Sequence, residues 1–126
     1  MPEVSQRVRW RNGAGWTTVL AQAEGGEPVE WRISVAEIER DAPFSDYAGY
    51  DRTIVVEDGA FTLEFDDGER VDIAPLTPFS FAGERAVFCR LHGSPVNAFN
   101  VMTLRGAFTH EVRVHGGEIE VSLAEV

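Results

Sequence analysis

Phe61-Thr62-Leu63-Glu64-Phe65 lies between two reversals, Asp58-Gly59 and Asp66-Asp67-Gly68. Its apolar and polar residues alternate with a period of two, so three large apolar side chains share one face of a strand. Each end carries turn chemistry suited to a hairpin. The same pattern recurs along the chain. Trp31, Ile33 and Val35 alternate with Arg32 and Ser34, and Arg52 to Glu57 runs through Ile54-Val55-Val56 into Asp58-Gly59. Val71 and Ile73 make a short strand, followed by a loop through Pro75 and Pro78. Phe79 to Phe81, Ala86 to Leu91, Phe99 to Thr103, Glu111 to Val114 and Glu118 to Leu123 read as further strands. One helical turn fits Val35 to Arg40, and Pro43 stops it. Short strands with turns at intervals of roughly 8–12 residues predict an all-β sandwich or barrel.

The 126 residues carry no repeat, low-complexity tract or linker, so we read 1–126 as one domain. Strand patterning persists to the last residues, with Ile119, Val121 and Leu123 alternating with Glu118, Glu120 and Ser122. Two expectations follow: a fragment of a longer chain, or a last strand that pairs with a second subunit in a homodimer, removing an exposed edge. No run approaches the ~18 apolar residues of a membrane span, and the N-terminus lacks a secretory signal pattern. A cytoplasmic protein is the expectation.

The formal net charge of −10 excludes the basic footprint that nucleic-acid binders need and disfavours an anionic membrane surface. All 11 basic residues are arginine, which directs attention to where those arginines sit. Cys89 is the single cysteine and lies in the apolar run Ala86 to Leu91, so it reads as a core residue rather than a nucleophile. The three histidines, His92, His110 and His115, do not form the His-any-His pair that a β-barrel metal site would use. His110 and His115 are five apart and point to opposite faces of a strand. We expect no metal and no cofactor, with the histidines at surface or loop positions. Ser34, Ser45, Ser80 and Ser94 do not occur in a nucleophile-elbow sequence.

Three segments carry candidate chemistry. In Val8-Arg9-Trp10-Arg11-Asn12-Gly13-Ala14-Gly15-Trp16-Thr17-Thr18, the Asn12-Gly13 pair suffices for a hairpin turn, but Arg11 and the two tryptophans are not needed for one. In 41–52, a proline, three aromatics and a glycine deliver Asp51-Arg52 to the start of a strand. Alternation places Arg52 on the face of Ile54 and Val56, where an unpaired guanidinium is costly. Either a protein carboxylate neutralises it, or it awaits an anionic ligand that arginine grips through two parallel hydrogen bonds. Asn100, polar within Phe99 to Met102, either caps a backbone group or lines a cavity.

Six blocks resemble one family in order. They are Trp10-Arg11-Asn12-Gly13-Ala14-Gly15 with Thr17-Thr18, then Trp31-Arg32-Ile33-Ser34, then Pro43-Phe44-Ser45 to Gly49-Tyr50-Asp51-Arg52. Phe79-Ser80-Phe81-Ala82-Gly83, Cys89-Arg90-Leu91 and Phe99-Asn100-Val101-Met102 follow. Over residues 8 to 106 the chain is similar to the HutD/Ves family, cupin-fold proteins associated with bacterial histidine utilisation. The resemblance implies a cupin-like antiparallel β-barrel or jelly-roll sandwich without the usual cupin metal ligands. It also implies a pocket for a small anionic metabolite, formate or a histidine-breakdown product, in a protein that tunes the pathway rather than catalysing a step. On that reading Arg52 anchors a carboxylate. Arg11, Asn12 and the backbone amides of Gly13 to Gly15 wall the pocket, since consecutive N–H groups form anion-binding concavities. Arg32, Ser34 and Asn100 are secondary candidates. Family members are usually longer, with a second cupin half, so residues 107–126 read as the stub of one. A cupin-type isomerase or hydrolase is the alternative, with Asp51, Glu57 or His92 as acid–base groups and Arg52 orienting the substrate.

Overall fold

The computed structural model describes residues 6–126. Twelve strands occur among the described residues: β1 (Arg7–Arg9), β2 (Gly15–Gln22), β3 (Trp31–Ile38), β4 (Ala42–Pro43), β5 (Tyr50–Asp58) and β6 (Phe61–Phe65), then β7 (Arg70–Ile73), β8 (Phe79–Ala82), β9 (Val87–Leu91), β10 (Val96–Leu104), β11 (Phe108–His115) and β12 (Glu118–Glu125). They form a six-stranded sheet ordered β1-β2-β3-β10-β5-β8, a four-stranded sheet ordered β4-β9-β6-β7, and a separate β11-β12 hairpin. Every pairing is antiparallel. The all-β expectation holds. No described helix is long and apolar enough to cross a membrane.

The alternation read from the sequence places Phe61, Leu63 and Phe65 in the core. On β3, by contrast, the core side is that of Arg32 and Ser34, continued by Ala36 and Ile38, and Trp31, Ile33 and Val35 are half-buried on the other face. Ala36, Ile38, Ile54, Val56, Ala98 and Phe81 of the larger sheet meet Phe61, Leu63, Phe65, Ile73, Val87 and Cys89 of the smaller one. Phe61 and Leu63 are fully buried, and burying side chains of this size is the main stabilising term of such a sandwich. Cys89 is a core residue, and burial pushes its thiol pKa well above the ordinary range. Gly59 closes the β5-β6 hairpin with φ of 87°, a conformation that disfavours side-chained residues.

Two local expectations are corrected. The proposed helical turn at Val35 to Arg40 does not form, because β3 continues to Ile38 between two ladder partners, β2 and β10, and buries Ile38 completely. Tertiary pairing outweighs a weak local helical preference. His110 is not a surface or loop histidine. It lies in β11 and turns its half-buried ring onto the larger sheet, to hydroxyls of Thr53 and Thr103.

Strands β3, β10 and β5 lie side by side near the centre of the larger sheet, and their registers align residues in rows across it. Arg32, Met102 and Arg52 form one row, Ser34, Asn100 and Ile54 the next, and Ala36, Ala98 and Val56 the third. The inner face is therefore charged and polar at one end and apolar at the other.

Candidate functional site

The polar end of that face opens into a cavity of about 550 Å³. Arg32 and Ser34 of β3, Asn100 and Met102 of β10, and Arg52 of β5 form its floor. Residues 43–47 cross over it, contributing Phe44, Ser45 and Tyr47, while the β1-β2 turn supplies Trp10, Arg11 and Asn12. Thus the N-terminal turn and Arg52, 40 residues apart, wall one space.

Arg52 is 8% exposed and no described carboxylate pairs with it. Its Nη1 donates to the Ser45 carbonyl at 3.2 Å, and its guanidinium lies 5.0 Å from the Tyr47 ring centre and 4.9 Å from that of Phe81. Burial lowers its pKa, partly countered by Tyr47 and Asp46. A guanidinium still carries its charge after such a shift, so the site holds a desolvated cation with most of its five donors free of partners among the described residues. Arg32 donates only to Gln22 Oε1, at 3.0 Å, among the described residues. The sequence left open whether a protein carboxylate neutralises Arg52. The structure pairs seven of the 11 arginines with described carboxylates: Arg7, Arg9, Arg70, Arg85, Arg90, Arg105 and Arg113. Of the other four, Arg11, Arg32 and Arg52 line this cavity.

Asn100 combines both of its expected roles. Its Nδ2 donates to the Ala98 carbonyl at 3.1 Å, while its buried Oδ1 has no described partner, and the residue lines the cavity. Asn12 lines the cavity too, yet its side-chain oxygen accepts from the Ala14 amide at 2.9 Å and so braces the turn.

Gly13 and Gly15 are not among the lining residues. The Gly13 amide donates to the Trp10 carbonyl at 3.0 Å, which closes the turn. Gly15 is explained by close packing: a Cβ there would sit 2.3 Å from the Glu37 carbonyl oxygen. The glycines shape the wall and do not present an amide nest to the cavity.

Sequence reasoning missed Trp10, Thr17, Phe44, Ser45, Tyr47 and Met102 as lining residues. Trp10 donates from Nε1 to Thr17 Oγ1 at 2.7 Å and meets Phe44 edge-on, with ring centres 6.4 Å apart. Trp16 faces away from the cavity, its ring flanked by the guanidiniums of Arg7 at 3.9 Å and Arg9 at 4.9 Å. The signal for Phe44 and Tyr47 was present in the aromatic-rich loop before Arg52, but only the long-range fold shows which rings point inward.

Among the described residues the lining contains four arginines, Arg9, Arg11, Arg32 and Arg52, and no aspartate, glutamate, histidine or cysteine. Such a donor set repels a divalent cation and offers it no preferred ligand, so a metal of the kind held in many β-barrels does not fit. No group of three or more potential metal ligands occurs among the described residues. Asp51, Glu57 and His92, the acid–base candidates of the enzymatic alternative, lie outside the lining.

A family model described as HutD matches residues 3–125. The chain is 36% identical over 99 residues to an uncharacterized 21.2 kDa protein in the hutC 3' region of Pseudomonas putida, an alignment covering 76% of this chain and 52% of that protein. It is 32% identical over 108 residues to protein Ves of Escherichia fergusonii, covering 83% and 56% respectively. The chain therefore spans about half the length of these curated relatives. Its fold is similar to that of HutD from Pseudomonas fluorescens SBW25, solved in a formate condition. The TM-score is 0.82 at 33% identity, over 86% of this chain and 61% of that one. A cupin domain of an XRE-family transcriptional regulator from Enterobacter cloacae gives a TM-score of 0.59 at 19% identity, covering 71% and 96%, which establishes a cupin-like fold. With a family model spanning nearly every residue and the polar blocks around one cavity, this chain belongs to the HutD family.

Proposed function

We propose that the cavity binds a small carboxylate, formate or an intermediate of histidine breakdown, and that binding serves to regulate histidine utilisation rather than to catalyse a step. The observation that carries this reading is Arg52, a nine-tenths-buried cation without a described counter-ion. A buried charge is tolerated when a partner completes it, and arginine is suited to hold a carboxylate through two parallel bonds. Arg32 and Arg11 add positive potential to the same space in a chain of net charge −10. The gene neighbourhood named for the Pseudomonas putida relative and the formate condition of the HutD structure are consistent with the choice of metabolite.

A thermal-shift and calorimetric series with formate, formylglutamate, formiminoglutamate, urocanate and histidine tests the proposal. A ligand at a hundredfold excess over Kd adds about 2.7 kcal/mol to stability, so at least one carboxylate should raise the midpoint. If every compound leaves the midpoint unchanged at millimolar concentration, the binding reading fails. Turnover of any of them would favour the enzymatic alternative.

A further inference from the structure

On the outer face of the larger sheet, opposite the arginine cavity, a second concavity of about 360 Å³ lies between β5, β8 and the start of β11. Alternation along β5 explains why one strand serves both sides, since Arg52 points inward and Thr53 outward. Its lining includes hydroxyls, one imidazole and the Asp51 carboxylate, together with Arg52 and Phe81, whose side chains turn to the inner face. Four of these groups, Ser80, Thr53, His110 and Thr103, form a continuous chain. Ser80 Oγ lies 2.7 Å from Thr53 Oγ1, and Thr53 Oγ1 lies 2.7 Å from His110 Nε2. His110 Nδ1 is in turn 2.8 Å from Thr103 Oγ1. Thr53 and Thr103 are buried, His110 is half-buried, and the chain ends at the exposed Ser80.

We propose that Ser80 is an acyl-accepting nucleophile, activated through Thr53 by His110, in a site separate from the anion cavity. The His110 ring is held at both nitrogens, which fixes its orientation as a third group does in other hydroxyl–histidine pairs. Burial lowers its pKa, so the neutral imidazole is the resting form and is available as a base. Asp51, which lines the same concavity, opposes that shift and stabilises the imidazolium once it forms. β8 is an edge strand of its sheet, so alternate N–H groups along Phe79–Ala82 point away from β5 and are donors for a developing oxyanion.

With Nδ1–H donating to Thr103, Nε2 accepts. As Ser80 Oγ bonds the acyl carbon of an ester, its proton passes to Thr53 Oγ1 and the Thr53 proton passes to His110 Nε2. Collapse of the tetrahedral adduct breaks the bond to the leaving oxygen, which departs with the returned proton as an alcohol. The products are acyl-Ser80 and the alcohol, and no oxidant or co-reactant is required.

The test treats the whole chain with p-nitrophenyl acetate and follows p-nitrophenolate release, intact mass and peptide mapping. The expected result is one acetyl group per chain on Ser80, absent in Ser80→Ala. Thr53→Val keeps the shape of the residue but cuts the relay, and should slow acylation by about 100-fold or more. His110→Gln should do the same and serves if Thr53→Val does not melt cooperatively. The proposal is overturned if no adduct forms, if the acetyl group resides elsewhere, or if a folded relay variant reacts at the parent rate. In the last case the hydrogen-bond chain only fastens the hairpin to the sheet. None of these outcomes depends on whether the inner cavity binds a carboxylate.

Discussion

Replacing Arg52 with methionine separates a ligand anchor from a structural cation. The substitution keeps an unbranched side chain and removes the charge. In the free protein it removes a 3.2 Å hydrogen bond to Ser45 and guanidinium contacts with Tyr47 and Phe81 at 5.0 and 4.9 Å. Those contacts contribute about 1.5 kcal/mol for the charged hydrogen bond and about 0.5–1 kcal/mol for each ring. Release of a desolvated charge, worth several kcal/mol, offsets them, so the free variant should lie within about 1 kcal/mol of the parent. Binding behaves differently. A carboxylate left without its buried partner loses about 2–5 kcal/mol, which weakens Kd by roughly 30-fold to several thousand-fold. At a ligand concentration of a hundred parent Kd, the stabilisation falls from about 2.7 to below about 0.9 kcal/mol. With roughly 3–5 °C per kcal/mol for a domain of this size, a shift near 10 °C shrinks to below about 4 °C. Scanning calorimetry with and without the binding carboxylate measures both quantities. A parent-sized ligand shift in the variant would refute the anchor assignment. A loss above about 3 kcal/mol in the free variant would mark Arg52 as a structural cation instead.

Gly83→Ala should destabilise the fold by about 1–3 kcal/mol, because the new Cβ would sit 2.3 Å from the Tyr47 carbonyl oxygen, which is backbone and cannot swing aside. Urea titration measures the loss, and the loop over the arginine cavity should be the first region to show it. The depressed pKa of His110 predicts a pH effect. The folded protein binds this proton less readily than the unfolded chain, so stability is fully present above about pH 6.5 and declines as pH falls below it. Melting midpoints between pH 7 and 5.5 should decrease in the parent, with a shallower slope in His110→Gln. Cys89, fully buried with its thiol pKa pushed up, should resist alkylation by iodoacetamide at neutral pH until the chain unfolds.

The smaller sheet was legible because one of its faces lies against the core, and Phe61, Leu63 and Phe65 record that in a two-residue rhythm. On β3 the same rhythm marked a strand but not its core side, since Trp31, Ile33 and Val35 are half-buried on the outer face while Ser34, Ala36 and Ile38 turn inward. Short or flat elements were less legible: β1 and β4 are three and two residues long, too short to show a period. Within the candidate site, Arg11, Asn12, Arg32, Ser34, Arg52 and Asn100 all line the inner cavity. Arg11, Arg52 and Asn100 stood out as polar groups that turn or packing did not require, whereas Asn12, Arg32 and Ser34 became candidates only through the family resemblance. Gly13 and Gly15 showed the limit of that reasoning, since a glycine needed for a turn or a close crossing has the same sequence signature as one presenting amides to an anion. The Ser80–Thr53–His110–Thr103 chain left no local trace. Its members come from four strands, and each alone is an ordinary polar residue on the outward side of a strand.

Arg52 and Thr53 are consecutive in β5, so strand alternation turns their side chains to opposite sides of one sheet. A single-residue insertion or deletion near the start of β5 would exchange their directions, placing a hydroxyl where the cation stands and a cation where the hydroxyl stands. Point substitutions can alter either chemistry independently, whereas a change of frame in this strand alters both together. The spacing from Tyr50 to Asp58 is therefore as much a determinant of what the two faces of this sheet present as the identity of any residue within it.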